Sequence, residues 1–257
     1  MDRSGAKWLC CFLPWVRYAK SIMCGRYARK SAQELLAEWF EMDLEQMRWA
    51  PTWNAAPQSF QPVVRLQPGS GVREASLMRW GLVPSWAKDA RIGLNTINAR
   101  AEDVETKPAF RAALKKRRCL VPADAYYEWQ KSGSKAKQPY AIGLTSGEPI
   151  AFAGLWENWQ EASGHLLESF TILTTCANEK LAAIHDRMPV IVERNHYDRW
   201  LNADERVAPP FDLLRPYAPE EVLAWPVSER VGNVRNNDAS LLNPVSLTSE
   251  PAQQMLF

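Results

Sequence analysis

Four residues of this chain carry groups that could together perform nucleophilic and proton-transfer chemistry. They are the thiol of Cys24, the amide of Asn98, the carboxylate of Glu128 and the imidazole of His185. A cysteine, a histidine and an asparagine are the residue types of a thiol-protease triad. His185 stands in Ile184-His185-Asp186-Arg187-Met188-Pro189, a cluster of ionisable groups at an expected helix end just before a strand. Glu128 lies between Tyr127 and Trp129 in a run that reads as a strand. Burial there would demand a partner for the carboxylate and raise its pKa towards an acid–base range. Periodicity alone favours the other reading, in which Glu128 points to water between inward aromatics.

Composition bounds the scaffold that must position these groups. At 257 residues, with 46% hydrophobic and 23% charged residues, the chain can bury one substantial core. A formal net charge of +2 is compatible with nucleic acid but does not select it. The five cysteines are Cys10, Cys11, Cys24, Cys119 and Cys176; they form no CxxC pair and have no His-rich companion. That pattern favours neither a zinc site nor a disulfide scaffold, so no metal or cofactor is expected and a reducing cytoplasm fits. No apolar run is long enough to span a bilayer, and the patch at residues 8–16 has no signal-peptide cleavage site behind it.

The local patterns predict an α+β single domain, with many antiparallel strands forming a curved, barrel-like core flanked by a few helices. Strand signals fall at 75–80, 119–121, 126–129, 140–144, 150–155, 170–175 and 188–192. Ser132-Gly133-Ser134 reads as a hairpin turn. Ser31 and Glu34 are spaced as a capping box, and Leu35, Leu36, Trp39 and Phe40 give the following helix an apolar stripe. Further helices are expected at 108–117, 178–184 and 195–201, the last capped by Asn195 with Asp198.

Several segments taken together resemble the SOS-response-associated peptidase family. They begin with Met23-Cys24-Gly25-Arg26-Tyr27, Trp53-Asn54-Ala55-Ala56-Pro57 and Arg79-Trp80-Gly81-Leu82-Val83-Pro84. The order continues through Ile97-Asn98-Ala99-Arg100-Ala101-Glu102, Cys119-Leu120-Val121-Pro122-Ala123 and Tyr127-Glu128-Trp129. It ends with the His185 segment and with Val231-Gly232-Asn233-Val234-Arg235-Asn236. The resemblance implies a domain over 23–244, a non-family extension over 1–22 and a flexible tail over 245–257. It further implies a sensor of abasic sites in single-stranded DNA that bonds covalently to them and protects them in the DNA-damage response. By the same resemblance Cys24 is the nucleophile, Asn98 the assisting amide, Glu128 the acid–base carboxylate and His185 the histidine. Arg26 and Arg100 match phosphate-holding arginines, and Asn54 and Trp80 match positions close to the lesion pocket.

The residue types suit that chemistry. An opened abasic sugar is an aldehyde, and aldehydes condense with neutral amines. An α-amine, with a pKa of about 7.7–8.0, is far more often neutral near pH 7 than a lysine amine at about 10.4. An N-terminal cysteine would form the imine with its amine and close a five-membered thiazolidine with its thiol. Glu128 can protonate the departing hydroxyl or the ring on reversal, His185 can assist sugar opening, and Asn98 can hydrogen-bond the open sugar. Residues 1–22 precede Met23, and an amide nitrogen cannot form the imine. Translation from Met23 with removal of that methionine, or autocatalytic cutting, would free the amine; we favour the first.

The alternatives are a thiol autopeptidase using Cys24 and His185, and a single-stranded-DNA-binding module without covalent chemistry. Lys115-Lys116-Arg117-Arg118 could track phosphates or be a solvated helix end. Twelve tryptophans offer stacking surfaces, most of them expected in the core, with Trp80 and Trp53 the candidates for DNA. The last residues, Gln253-Gln254-Met255-Leu256-Phe257, resemble a sliding-clamp docking peptide, with Gln253, Leu256 and Phe257 as its contacts. The resulting expectation is a cytoplasmic protein at damaged nucleoid DNA.

Overall fold

A computed structural model describes residues 25–42, 48–67, 69–130, 137–161, 163–204 and 206–247. The hairpin turn at Ser132–Ser134, the tail peptide at Gln253–Phe257 and Cys24 itself lie outside the described residues. The chain runs β1 (Tyr27–Arg29), α1 (Gln33–Phe40), β2 (Thr52–Ala55), β3 (Phe60–Leu66), β4 (Arg73–Trp80), β5 (Asn98–Arg100), α2 (Arg111–Lys116) and β6 (Arg118–Ala123). It continues through β7 (Ala125–Gln130), β8 (Gln138–Leu144), β9 (Ile150–Gln160), β10 (Leu166–Cys176), β11 (Arg187–Pro189), α3 (Tyr197–Leu201) and β12 (Val222–Pro226). The architecture is α+β, with short helices around a largely antiparallel β core.

Five strands close on themselves. β10 pairs with β4, β4 with β3, β3 with β6, β6 with β9 and β9 with β10 again, so the ring leaves no open edge. The β10–β4 and β10–β5 pairings are parallel and the other ring pairings antiparallel. A second sheet, ordered β12-β8-β7-β1-β2, packs against this ring. Strand alternation sorts the side chains. Val63, Cys119, Val121, Phe152, Phe170 and Ile172 join one cluster with Tyr27 and Tyr126 of the second sheet. Their neighbours Val64, Leu120, Ala153 and Leu173 face a second cluster roofed by Leu36 and Phe40 of α1 and Trp200 of α3.

The helices depart from the expected caps. Helix α1 starts at Gln33 with Ala32 at its cap position, one residue past the predicted Ser31, and Ser31 is engaged elsewhere: its hydroxyl and backbone N–H both bind the Asp124 carboxylate, the latter at 2.9 Å. Asp124 also accepts from Lys30 N at 2.6 Å, so the turn after β1 is tied to the β6–β7 corner instead of capping α1. The region 178–184 forms turns, with Asn178 Oδ1 accepting from Leu181 N at 3.0 Å, and not a regular helix. A 3-10 turn over Arg194–His196 leads into α3, which has no side-chain cap at its start.

Candidate active site

The second sheet brings the chain's first described residues to Glu128. In the β1–β7 ladder Tyr27 faces Tyr126 and Ala28 faces Ala125, and Tyr127 N donates to Arg26 O at 3.0 Å. Continuing that antiparallel register sets Gly25 opposite Glu128. Glu128 is 3% exposed and sits on β7 across from Tyr140 of β8. The water-facing orientation that periodicity favoured is therefore overturned. Along β7, Tyr126 belongs to the barrel-side cluster and Tyr127 to the cluster on the sheet's far side. Alternation puts Glu128 on the barrel side with Tyr126, where Leu181, Ile184 and Met188 pack.

His185 closes the turn that carries Leu181 and Ile184, and is 7% exposed. Gln130 Nε2 donates to Ala183 O at 3.0 Å, fastening the end of β7 to this turn. The imidazole Nδ1 lies 3.1 Å from the Arg187 N–H and 3.1 Å from an Asp186 carboxylate oxygen. The first contact needs Nδ1 as an acceptor and fits a neutral ring protonated on Nε2. The second needs a proton on Nδ1, as in the imidazolium or the neutral Nδ1–H tautomer. Nδ1 thus has a partner whether or not it carries a proton.

Asn98 and Arg100 are on β5, where Asn98 faces Ile172 and Arg100 faces Thr174 of β10. Asn98 is half-buried and Arg100 exposed. The link from β5 to β1 runs through Trp80: its Nε1 donates to Ile97 O at 2.9 Å, and its ring lies 5.2 Å from that of Tyr27. Beside Arg100, the Arg187 guanidinium binds Glu102 through both oxygens, at 2.6 and 2.8 Å. Partial burial pushes Glu102 upward, but the hydrogen bonds from Arg187 outweigh it and hold the carboxyl below its ordinary value.

Two expectations of DNA contact do not match these positions. Trp80 has no exposed surface and packs between Tyr27 and Phe170, so no base can reach its face. Asn54 is 5% exposed, and its amide donates to Val231 O, Asn233 O and Asn236 O at 3.2, 3.1 and 2.8 Å. Its Oδ1 accepts from Arg26 Nη1 at 3.0 Å. Trp53 is partly buried against Tyr127, and among the described residues Trp86 is the exposed tryptophan. Trp86 adjoins Ala87, which binds Trp159 Nε1 near the start of β10, whereas Asn98, Arg100 and His185 gather towards its Cys176 end.

The basic run is divided as well. Arg118 is 3% exposed, and its guanidinium donates to Trp200 O at 2.6 Å, Leu114 O at 2.7 Å, and Asn202 O. Arg117 pairs with Glu157 at 2.6 Å. Two of the four charges therefore serve the end of α2 and α3, not a phosphate track. Cys119 is sealed in the core, where burial pushes its thiol up and away from nucleophilic use. Among the described residues no three His, Cys, Asp or Glu side chains gather as a metal ion would require, and no helix is long and apolar enough to cross a membrane.

Comparison with known proteins identifies the family. The family model for SOS response associated peptidase (SRAP) matches residues 23–234. The chain belongs to the SRAP family. A relative, the abasic site processing protein YoaM of Bacillus subtilis, is 43% identical over 225 residues, covering 86% of this chain and 98% of YoaM. The abasic site processing protein HMCES of Rattus norvegicus is 32% identical, covering 92% of this chain and 75% of its own length. The SRAP fold is also seen in a crystal structure of a Bacteroides thetaiotaomicron protein, with a TM-score of 0.78, 26% identity, and coverage of 87% of this chain and all of the other. The loop 231–236 lies largely within the SRAP match, and its tie to Arg26, just before β1, and to Asn54 of β2 had no signal in local spacing.

Proposed function

We propose that this SRAP chain processes abasic sites in single-stranded DNA by joining them covalently to Cys24. The observation that carries the reading is the register of β1 on β7, which runs the segment following Cys24 towards a carboxylate only 3% exposed. A proton donor is needed there. The relatives named above as abasic site processing proteins support the substrate class.

The reaction balances without a cofactor. The neutral α-amine of Cys24 adds to the open-sugar aldehyde, and the carbinolamine hydroxyl leaves as water once protonated by Glu128. The thiol sulfur then bonds to the imine carbon as its proton passes to nitrogen, giving a thiazolidine. His185, whose Nδ1 has a partner with or without a proton, shuttles the proton that opens the sugar ring. Asn98 hydrogen-bonds the open sugar. Arg100, exposed at the end of β5, meets a backbone phosphate, and Arg26 offers a second phosphate whatever edge its protein bonds leave. Translation from Met23 and removal of that methionine supply the free amine. Protection of lesions in the damage response follows from an adduct that resists hydrolysis, and the tail residues Gln253, Leu256 and Phe257 would recruit the protein through the sliding clamp.

The thiol-protease reading leaves Glu128 without a role. Incubating protein that begins at Cys24 with abasic and intact oligonucleotides, followed by heating and denaturing gels, decides between them. A heat-stable adduct on abasic DNA alone is expected; equal retention of both DNAs, or of neither, contradicts the proposal.

A further inference from the structure

We infer that Asn54 is a positioning residue for the Cys24 reaction, acting through Arg26 and the loop 231–236; this rests on the covalent reading above. A chain terminus frays unless it is tied down, yet the imine and the ring must both form on the first residue. Proximity gains of the kind enzymes use are lost when a reacting group strays by about 1 Å. The backbone ladder stops short of Cys24: β1 has three residues, paired with β2 at Tyr27 and Arg29, and its pairing with β7 spans Tyr27, Ala28 and the Arg26 carbonyl.

Arg26 supplies the second tie with its side chain. Its Nη1 donates to Asn54 Oδ1 at 3.0 Å and to Val231 O at 2.9 Å, and its Nη2 donates to Gly232 O at 3.2 Å. Asn54 binds the same loop itself, through Val231 O, which it shares with Arg26, and through Asn233 O and Asn236 O. The amide oxygen accepts from the arginine while its NH2 donates to several carbonyls, which a hydroxyl with its single proton cannot do. An aspartate would keep the first contact and turn its oxygens against the carbonyls. The loop is itself anchored. Asn237 Oδ1 accepts from Trp53 N at 2.7 Å and Thr52 Oγ1 at 3.1 Å, and Asn236 Nδ2 donates to Arg230 O at 2.7 Å.

Main chain and side chain therefore both hold Arg26, two residues after Cys24. With Arg26 fixed, only Gly25 separates a rigid anchor from the reacting amine. The arrangement also gives a purpose to the segment Val231-Gly232-Asn233-Val234-Arg235-Asn236, which no step of the chemistry uses directly.

The test separates positioning from DNA contact by splitting maximal rate from half-saturation. With protein beginning at Cys24 and an abasic oligonucleotide in excess, Asn54→Ala should lower the maximal crosslinking rate about 10- to 100-fold. The half-saturating oligonucleotide concentration, and the affinity for an intact oligonucleotide by anisotropy, should change several-fold less than the maximal rate, because freeing Arg26 from Asn54 disturbs at most one phosphate contact. A variant with wild-type maximal rate, or one whose defect lies entirely in half-saturation, overturns the inference. If Asn54→Ala does not fold, Asn237→Ala unhooks the same loop at its exposed end and must show the same split in smaller measure; an unchanged maximal rate there counts against it equally. A wild-type protein that forms no adduct would instead contradict the covalent reading.

Discussion

The Tyr127 backbone N–H donates to the Arg26 carbonyl at 3.0 Å, tying the segment that follows Cys24 to the strand bearing Glu128. In the proposed mechanism, that ladder bond would bring the Cys24 nucleophile and the Glu128 carboxylate into one site.

If Glu128 donates the proton that releases water, Glu128→Gln should slow crosslinking by about 10²–10⁴-fold in a protein that still folds. Reversal of an adduct already formed should slow as well, because the ring nitrogen needs the same donor. Single-turnover time courses in both directions measure this. A variant with wild-type rates in both would reduce Glu128 to a buried structural group.

His185→Ala should slow the reaction in a pH-dependent way, with a deficit that changes between about pH 5 and 8, where imidazoles titrate. A rate profile over that interval is the readout. Parallel profiles for wild type and variant would remove His185 from proton transfer.

The Glu102–Arg187 pair gives a stability prediction whose sign follows from the lowered Glu102 carboxyl. A depressed folded-state pKa contributes stability above the unfolded value of about 4.3 and loses it as pH falls through the folded value. Glu102 is about half exposed, so its loss in Glu102→Gln should cost only about 0.5–1 kcal/mol at pH 7. Urea unfolding at pH 7 and pH 3 should show that gap closing at the lower pH; a gap independent of pH contradicts the assignment.

Arg118→Ala should destabilise the fold by about 2–4 kcal/mol, since it strands carbonyls of Trp200, Leu114 and Asn202 and vacates a buried site. Its effect on single-stranded-DNA affinity should not exceed that of Lys115→Ala. Denaturation midpoints and anisotropy titrations report the two quantities separately. An undiminished stability with lost DNA affinity would restore the basic run as a phosphate track.

What the sequence made legible was whatever short-range pattern decides. The β-rich runs became strands β4 and β6 to β11, because apolar alternation and bounding turns fix them locally. Ring closure through β10 and the burial of Glu128 depend on partners far along the chain, and so did the fates of Ser31, Asn54, Trp80 and Arg118. Ser31 reads as a cap until Asp124, 93 residues away, takes its hydroxyl. Arg118 reads as a surface charge until Trp200 and Asn202 supply carbonyls from 82 and 84 residues on. A periodicity cannot see such neighbours. Family motifs could name Asn54 and Trp80 as important positions, but the hydrogen bonds around them give the reason: one clasps a loop, the other joins β1 to β5.

The central claim is that the free α-amine and thiol of Cys24 together form the bond to DNA. Its most direct measurement is intact-mass analysis of abasic oligonucleotide reacted with three proteins: one beginning at Cys24, the same protein carrying Cys24→Ser, and the chain kept uncut from Met1. The account predicts a heat-stable species, equal to protein plus DNA less one water, from the first alone. Cys24→Ser should yield at most an imine that survives only after borohydride reduction. A heat-stable adduct of the same yield from the uncut chain, where Cys24 has no free amine, would contradict it.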